Sequence, residues 1–245
     1  MVRIVYLYKD LMGLYGEYAN IDALVKRLES AKIKASVETV GYGDMPDLKK
    51  TDLLYVGAGT EGRMLAALAD FNEKKEAVTE YIKRGGLVLA TGNALCLFAD
   101  KITAADGEEY RGICAIDASV AIDAKRRYSE YIAACPLTEK KVVGAINTSI
   151  TIDTNEESLF NIEFASKNIL KADTEGIKKG NLFMTQLIGP LLVRNPALLD
   201  VFAEKTAKKE LPPCGEEWYK YAVAGYESVL NTLEAAAKKG GKRHR

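Results

Sequence analysis

Residues 86–98 have the pattern of a nucleophile elbow, but the residue expected at the apex has no side chain. Residues 87–90 form a short apolar run that is typical of a buried strand, residues 91–93 interrupt it, and the next stretch favours a helix. Hydrolases of several families place a catalytic Ser or Cys at the apex of such a strand–turn–helix. Gly92 occupies that position here, so the turn is predicted to lack a nucleophile.

The chain also lacks a histidine that could act as the general base. Its single histidine, His244, lies in the Lys/Arg-rich tail at 240–245. Cys–His and Ser–His catalysis both require an imidazole packed beside the nucleophile. The tail is interpreted as a solvated end, with binding of an acidic partner as the alternative.

Cys96 is the alternative nucleophile. It lies four residues after Gly92, and a thiolate near a helix N-terminus can be activated. However, it stands within the apolar run 94–98, and buried cysteines commonly serve as small core residues. Core packing is the favoured interpretation, and a reactive Cys96 would need a carboxylate or a lysine as its base.

A glycine-rich loop at residues 57–62 (GAGTEG) matches the GxGxxG pattern of dinucleotide sites. It follows the third predicted strand rather than the first, and the next strand ends without the acidic residue that would bind a ribose. Facing the elbow from a neighbouring strand end, the amides of Gly57, Ala58 and Gly59 could instead form an oxyanion hole or carboxylate site. A simple tight turn is the alternative.

The hydrophobic pattern predicts the elements that must position these residues. In the first part of the chain it indicates strands over 2–8, 34–40, 52–56 and 87–90, with helices over 18–31 and 61–84. This order favours a doubly wound, mostly parallel α/β sheet. Short β-like runs at 110–116, 128–134, 141–152, 158–164 and 181–187 predict antiparallel additions in the second half. Helices over 196–208 and 215–239 complete a predicted single domain, 1–239.

Composition excludes several function classes. Lys+Arg and Asp+Glu both number 34, so the net charge of zero favours neither nucleic acid nor a membrane surface as a partner. The four cysteines form no CxxC or Cys/His cluster, so we expect no metal and no cofactor, and a reducing cytoplasmic location. The N-terminus does not resemble a signal peptide, and no apolar run approaches the ~20 residues of a transmembrane helix.

Two polar positions between predicted strands could line a ligand site at a sheet edge. They are Arg126, followed by Arg127, and Asn147, which lies within the sequence GAINTS. Solvated loop residues are the alternative interpretation for both positions.

Five segments together resemble the class I (cobyric-acid-synthase-type) glutamine amidotransferases. They are residues 8–21, 57–59, 87–98, 175–176 and 186–196, the last of which reads QLIGPLLVRNP. Within that family they are most similar to the glutaminase subunits of the lipid II isoglutaminyl synthases. The resemblance extends over about residues 3–205, and it implies a Mur-ligase-like synthetase as the partner.

The resemblance also implies where catalytic residues would stand. The family's cysteine falls on Gly92 and its histidine on Ile188, while a family arginine falls on Arg126 or Arg127. The family's Asn-His pair begins at Asn147, but the next residue here is threonine. The resemblance therefore extends to the fold and not to the catalytic residues.

These observations predict a catalytically inactive glutamine amidotransferase-like protein. We expect it to act as a binding or scaffolding subunit beside a Mur-ligase-like synthetase, or to form a homodimer. One alternative is an active amidotransferase that uses Cys96. The other is a sensor that binds a small amino acid through residues 57–59, Arg126 and Asn147.

Overall fold

The computed structural model of the chain describes residues 1–240. The predicted tail at 240–245, with His244, lies outside the described residues, except that Gly240 ends the last helix. The first part of the chain contains β1 (Val2–Leu7), α1 (Tyr18–Ser30), β2 (Ala35–Val40), β3 (Leu53–Val56), α2 (Glu61–Glu73), α3 (Lys75–Lys83) and β4 (Leu87–Thr91).

The second part is richer in strands. It contains β5 (Lys101–Thr103), β6 (Glu109–Tyr110), β7 (Ala118–Cys135), β8 (Thr138–Thr154), β9 (Phe160–Ala165), β10 (Thr174–Glu175), β11 (Ile177–Lys179) and β12 (Leu182–Thr185), followed by α4 (Leu191–Arg194), α5 (Pro196–Ala207) and α6 (Glu217–Gly240). Within residues 1–240, no helix combines the length and hydrophobicity that a membrane span requires.

The first sheet has the order β11-β12-β4-β3-β1-β2. All neighbouring pairs are parallel except β11–β12. Its central strands β3 and β4 are buried at every residue because both faces of the sheet are covered, as parallel sheets require. Val5 and Val88 pack with α2 and α3 on one face, whereas Ile4 and Leu89 pack with α1, α4 and α5 on the other. The predicted parallel core is confirmed.

The second sheet has the order β10-β9-β7-β5-β6, and β8 pairs with β7. All of its pairs are antiparallel except β5–β7. Its long β7–β8 hairpin contributes side chains to the apolar clusters on both faces of the first sheet. The hairpin also pairs with the first sheet directly: Ala145 of β8 forms a bridge with Ile188, just beyond the carboxyl end of β12.

Four local predictions were wrong. The run at 181–187, predicted as an antiparallel addition, forms β12, which pairs in parallel with β4 inside the first sheet. The strand predicted over 110–116 is mostly irregular, because this segment hydrogen-bonds to the backbone of residues 97–99 instead of joining a ladder. The helix predicted over 61–84 breaks at Lys74, whose buried ammonium is paired with Asp70. The helix predicted after the elbow is a 3-10 helix, Gly92–Phe98, and it is buried along its whole length.

Candidate functional site: a closed elbow

Gly92 lies at a sharp turn directly after the carboxyl end of β4. Its φ of +63° is in the left-handed region that favours glycine. The neighbouring strand β3 ends at Val56, so residues 57–59 emerge at the same edge of the sheet. Carboxyl ends of parallel strands are where α/β folds collect their ligand sites. The predicted placement of the glycine loop beside the turn is confirmed.

Two neighbouring side chains close the apex of the elbow. A Cβ atom built on Gly92 would lie less than 3.0 Å from the Cβ of Ala58 and 3.2 Å from Cγ2 of Ile188. The space that remains among the lining residues is about 10 Å³, roughly what a single water molecule needs. A side chain on residue 92 would therefore require Ala58 to move.

The side chain of Asn93 holds the glycine loop against the elbow through two hydrogen bonds to Gly59. Its Oδ1 accepts a hydrogen bond from the Gly59 N–H at 2.9 Å, and its Nδ2 donates to the Gly59 carbonyl at 3.0 Å. The amide of Gly59 is therefore not free to stabilise an oxyanion. The role of the loop amides as an oxyanion hole or carboxylate site stays a prediction, and at Gly59 it would require the bond to Asn93 to break.

The loop glycines are required by close packing against the chain's own N-terminal segment. A Cβ on Gly57 would overlap the Met12 carbonyl, and one on Gly59 would lie 3.0 Å from the Leu11 carbonyl. Residues 11–12 therefore lie directly against the loop glycines. The GxGxxG match reflects this packing.

A polar network lies over the closed apex. Arg126 donates hydrogen bonds from Nη1 to the Tyr15 hydroxyl at 3.0 Å and the Asn147 carbonyl at 3.1 Å, and from Nη2 to Oε1 of Glu61 at 2.6 Å. Asn147 Nδ2 also donates to Tyr15. Partial burial opposes ionisation of Glu61, but hydrogen bonds from Ser149 and Arg126 keep its pKa below the ordinary value. A substrate carboxylate would have to displace Glu61 from Arg126.

The structure distinguishes between the two arginines. Arg127 points away from the elbow, toward Asp123 at 2.6 Å and the Ile150 carbonyl at 2.9 Å. Arg126 is therefore the residue that hydrogen-bonds to Asn147 and lines the same small space as residues 58–59. Its role in binding a ligand stays a prediction.

Sequence reasoning missed Glu17, a fully buried carboxyl directly beneath the elbow. It accepts hydrogen bonds from Thr91 Oγ1, the Tyr55 hydroxyl at 3.0 Å, Asn20 Nδ2 at 3.2 Å and the Gly189 N–H at 3.2 Å. Burial raises the pKa of Glu17, and these hydrogen bonds oppose that rise. These hydrogen bonds link the residue before Gly92 to the residue after Ile188 through Glu17, so they stabilise the closed arrangement of the elbow.

A second buried carboxyl, Glu175, supports the strand that leads to Ile188. It accepts hydrogen bonds from Thr185 Oγ1 at 2.5 Å and from the Gln186 N–H at 2.7 Å. Burial raises its pKa to about 7, although these hydrogen bonds oppose the rise. Glu175 thus fixes the backbone immediately before Ile188, which itself is 5% exposed.

Cys96 lies in the core and faces no base. Its side chain has no exposed surface, and burial raises the pKa of the thiol to about 12. A thiol with such a pKa has almost no thiolate at neutral pH, so it is a poor nucleophile. The geometry favours the core-packing interpretation of Cys96. Within residues 1–240 there is also no group of His, Cys, Asp and Glu side chains arranged to hold a metal ion.

A family model for the CobB/CobQ-like glutamine amidotransferase domain matches residues 3–196. The chain belongs to this family. It is 24% identical over 211 residues to the subunit GatD of the glutamine-hydrolyzing lipid II isoglutaminyl synthase of Staphylococcus aureus, covering 85% of this chain and 86% of the relative. It is also 24% identical over 233 residues to GatD of Streptococcus pneumoniae, covering 94% and 87%.

A solved structure agrees with this assignment at the level of the fold. A crystal structure of a glutamine amidotransferase superposes with a TM-score of 0.53 at 17% identity, covering 84% of this chain and 100% of the other. The resemblance stated from the sequence is therefore confirmed for family and fold. What this amidotransferase-like chain lacks is an open elbow, because Ala58, Ile188 and Asn93 close it.

Proposed function

We propose that this chain is a glutaminase-like subunit that no longer hydrolyses glutamine and serves as a binding or scaffolding subunit beside a Mur-ligase-like synthetase in the cytoplasm. The reaction we assign to the complex is amidation of a lipid II-type cell-wall precursor. Two observations support this: membership of the amidotransferase family, and similarity to two GatD subunits over most of the chain.

The observation that carries the proposal is the closed elbow. There is no nucleophile on residue 92, Ala58 occupies the position that its Cβ would need, and Ile188 supplies no base. Loss of a nucleophile or its base alone reduces turnover by about a millionfold, roughly 8 kcal/mol of barrier. We infer that glutamine hydrolysis at ordinary enzyme rates is absent.

We call the exposed side chains of Tyr15, Tyr18, Tyr128 and Val193 the rim of the elbow, and their composition is typical of a contact surface. Among the described residues, four of nine exposed large hydrophobic side chains, Tyr15, Tyr18, Tyr128 and Val193, are carried by segments that meet there. Asn147 links two of these segments, since it bonds Tyr15 and pairs with Tyr128 in the β7–β8 ladder. Aromatic residues of this kind are enriched in protein interfaces.

Amide transfer in such a complex would draw on free ammonium. The test is to co-express the chain with the Mur-ligase-like protein of its source organism and to follow nitrogen transfer with ¹⁵N-ammonium or amide-¹⁵N-glutamine. We expect a stable complex that buries about 1,200–2,000 Å² and takes nitrogen from ammonium only. Transfer from glutamine at enzymatic rates would refute the loss of hydrolysis.

A matched pair of variants tests the surface. Tyr128→Glu should weaken the complex, whereas Val37→Glu, an exposed apolar position on the edge strand β2, should leave it intact. A strictly monomeric chain by light scattering, with no association with the ligase-like protein, would refute the scaffold role. Equal effects of the two variants would refute the assignment of the rim.

A further inference from the structure

A second concavity, of about 340 Å³, lies at the opposite end of the first sheet from the elbow. Its lining includes Asp52, Gly86 and Asn181, each of which directly precedes a strand of that sheet: β3, β4 and β12. These are amino ends of parallel strands, whereas the elbow lies at the carboxyl ends. The two sites are therefore separate, and ligand binding at the second is independent of the proposed function.

The concavity is strongly basic in a chain whose net charge is zero. Its one acidic side chain is Asp52, against five basic ones: Lys49, Lys50, Arg84, Lys205 and Lys208. Five positive charges and one negative charge leave a local excess of four. Positive charges gathered in a concave site raise the local electrostatic potential, and this attracts anions.

Internal pairing accounts for little of this charge. Asp52 is already engaged on both oxygens, since Oδ1 accepts from Lys208 Nζ at 2.9 Å and Oδ2 from the Arg3 N–H at 3.0 Å. In the part of the chain that the structure describes, the other four cations form no salt bridge. A ligand with two or more negative charges would be the missing counterpart.

Two of the unpaired cations are held in place by neighbouring groups. Arg84 donates through Nη2 to the Leu48 carbonyl, and its guanidinium lies 5.2 Å from the centre of the Tyr81 ring. Lys205 Nζ lies 5.2 Å from the centre of the Phe183 ring. Cation–π contacts of this kind restrain side chains that would otherwise sample solvent, and restraint before binding lowers the entropic cost of capturing a ligand.

We propose that this concavity is a binding site for a small ligand that bears a diphosphate group. The local charge excess matches a diphosphate better than a single carboxylate, and arginine with lysine is the usual pair for phosphate oxygens. The volume falls in the range of small-molecule sites, about 300–1,000 Å³, so it exceeds what one phosphate fills. The diphosphate could belong to a free nucleotide or to a lipid headgroup, which share this chemistry.

Titration calorimetry of the full chain with inorganic pyrophosphate at low salt tests the site. We expect binding that weakens with added salt because exposed charges are screened. Lys49→Gln with Lys50→Gln should weaken it at least about tenfold, since each cation contributes on the order of a few-fold to tenfold in affinity. The matched control, Lys167→Gln with Lys171→Gln, removes two exposed lysines elsewhere and should change affinity less than about twofold.

The two double variants also distinguish a defined binding site from general electrostatic attraction of anions to exposed lysines. All four positions in the two variants are exposed, so unfolding is not expected, and circular dichroism checks this. Absence of pyrophosphate binding at millimolar concentration, or equal weakening by both variants, overturns the proposal. Binding to phosphatidylglycerol vesicles without binding to pyrophosphate overturns it as well, because that would be attraction to a charged surface. Tighter binding of a nucleoside diphosphate than of vesicles carrying a diphosphate lipid identifies the free source, and the reverse identifies the lipid.

Discussion

Replacing Gly92 by cysteine should destabilise the chain by about 2–5 kcal/mol, although the family resemblance places a cysteine at this position. The φ of +63° costs an L-residue about 1–2 kcal/mol. The new Cβ would also lie less than 3.0 Å from the Cβ of Ala58, and overpacking of this kind costs about 1–3 kcal/mol. The sum of these two terms is the expected loss, measured as the change in free energy of unfolding in urea.

A double-mutant cycle isolates the contribution of the closed loop. Ala58→Gly alone should cost about 1 kcal/mol, mainly through backbone entropy. Combined with Gly92→Cys it removes the overlapping atom, so the double variant should be about 1–3 kcal/mol more stable than the sum of the single effects. Additive effects would refute the reasoning, because they would show that the loop moves away from residue 92 without cost.

Covalent labelling of residue 92 gives a chemical test of the same closure by Ala58. Gly92→Cys with Ile188→His should react poorly with a glutamine-analogue electrophile as long as Ala58 fills the apex. Adding Ala58→Gly should make covalent labelling of residue 92 detectable by mass spectrometry. Efficient labelling without the change at Ala58 would show that the apex is open in solution.

Three further predictions follow from buried groups. Because the folded-state pKa of Glu175, about 7, exceeds its ordinary value of 4.5, the folded chain keeps a proton that the unfolded chain releases. Wild-type stability should therefore fall by about 3 kcal/mol between pH 4.5 and 7 relative to Glu175→Gln, and parallel pH profiles from urea titrations would contradict this. Cys96 should resist iodoacetamide in the native state and react only on unfolding, since its thiol is buried; fast native labelling of Cys96 would revive it as a nucleophile. Asn93→Ala should cost about 2–4 kcal/mol in urea unfolding because it strips both hydrogen bonds from the buried Gly59 backbone, and a neutral effect would show that the loop is held by packing alone.

Much of the first sheet was predictable because parallel strands leave a clear local signal. Strands buried on both faces read as short apolar runs, and the runs near residues 2–8, 52–56 and 87–90 correspond to β1, β3 and β4. Because these strands run in the same direction, the sequence alone predicted residues 57–59 beside Gly92. The prediction failed at 110–116, where an apolar segment satisfies its backbone against residues 97–99 without a ladder.

The presence of glycine at residue 92 and of isoleucine at residue 188 is a property of residue types, so the sequence alone determined it. Whether the site stands open or closed depends on distances between segments far apart in the chain, and only the tertiary structure decided that. Ala58 closes the apex because β3 and β4 are neighbours, and Ile188 reaches it because it pairs with Ala145. Arg126 and Arg127 are equivalent in the sequence, but the hairpin directs one to the elbow and the other to Asp123. Glu17 carries no sequence signal of burial, since a carboxyl becomes buried only where several donors from different segments converge on it.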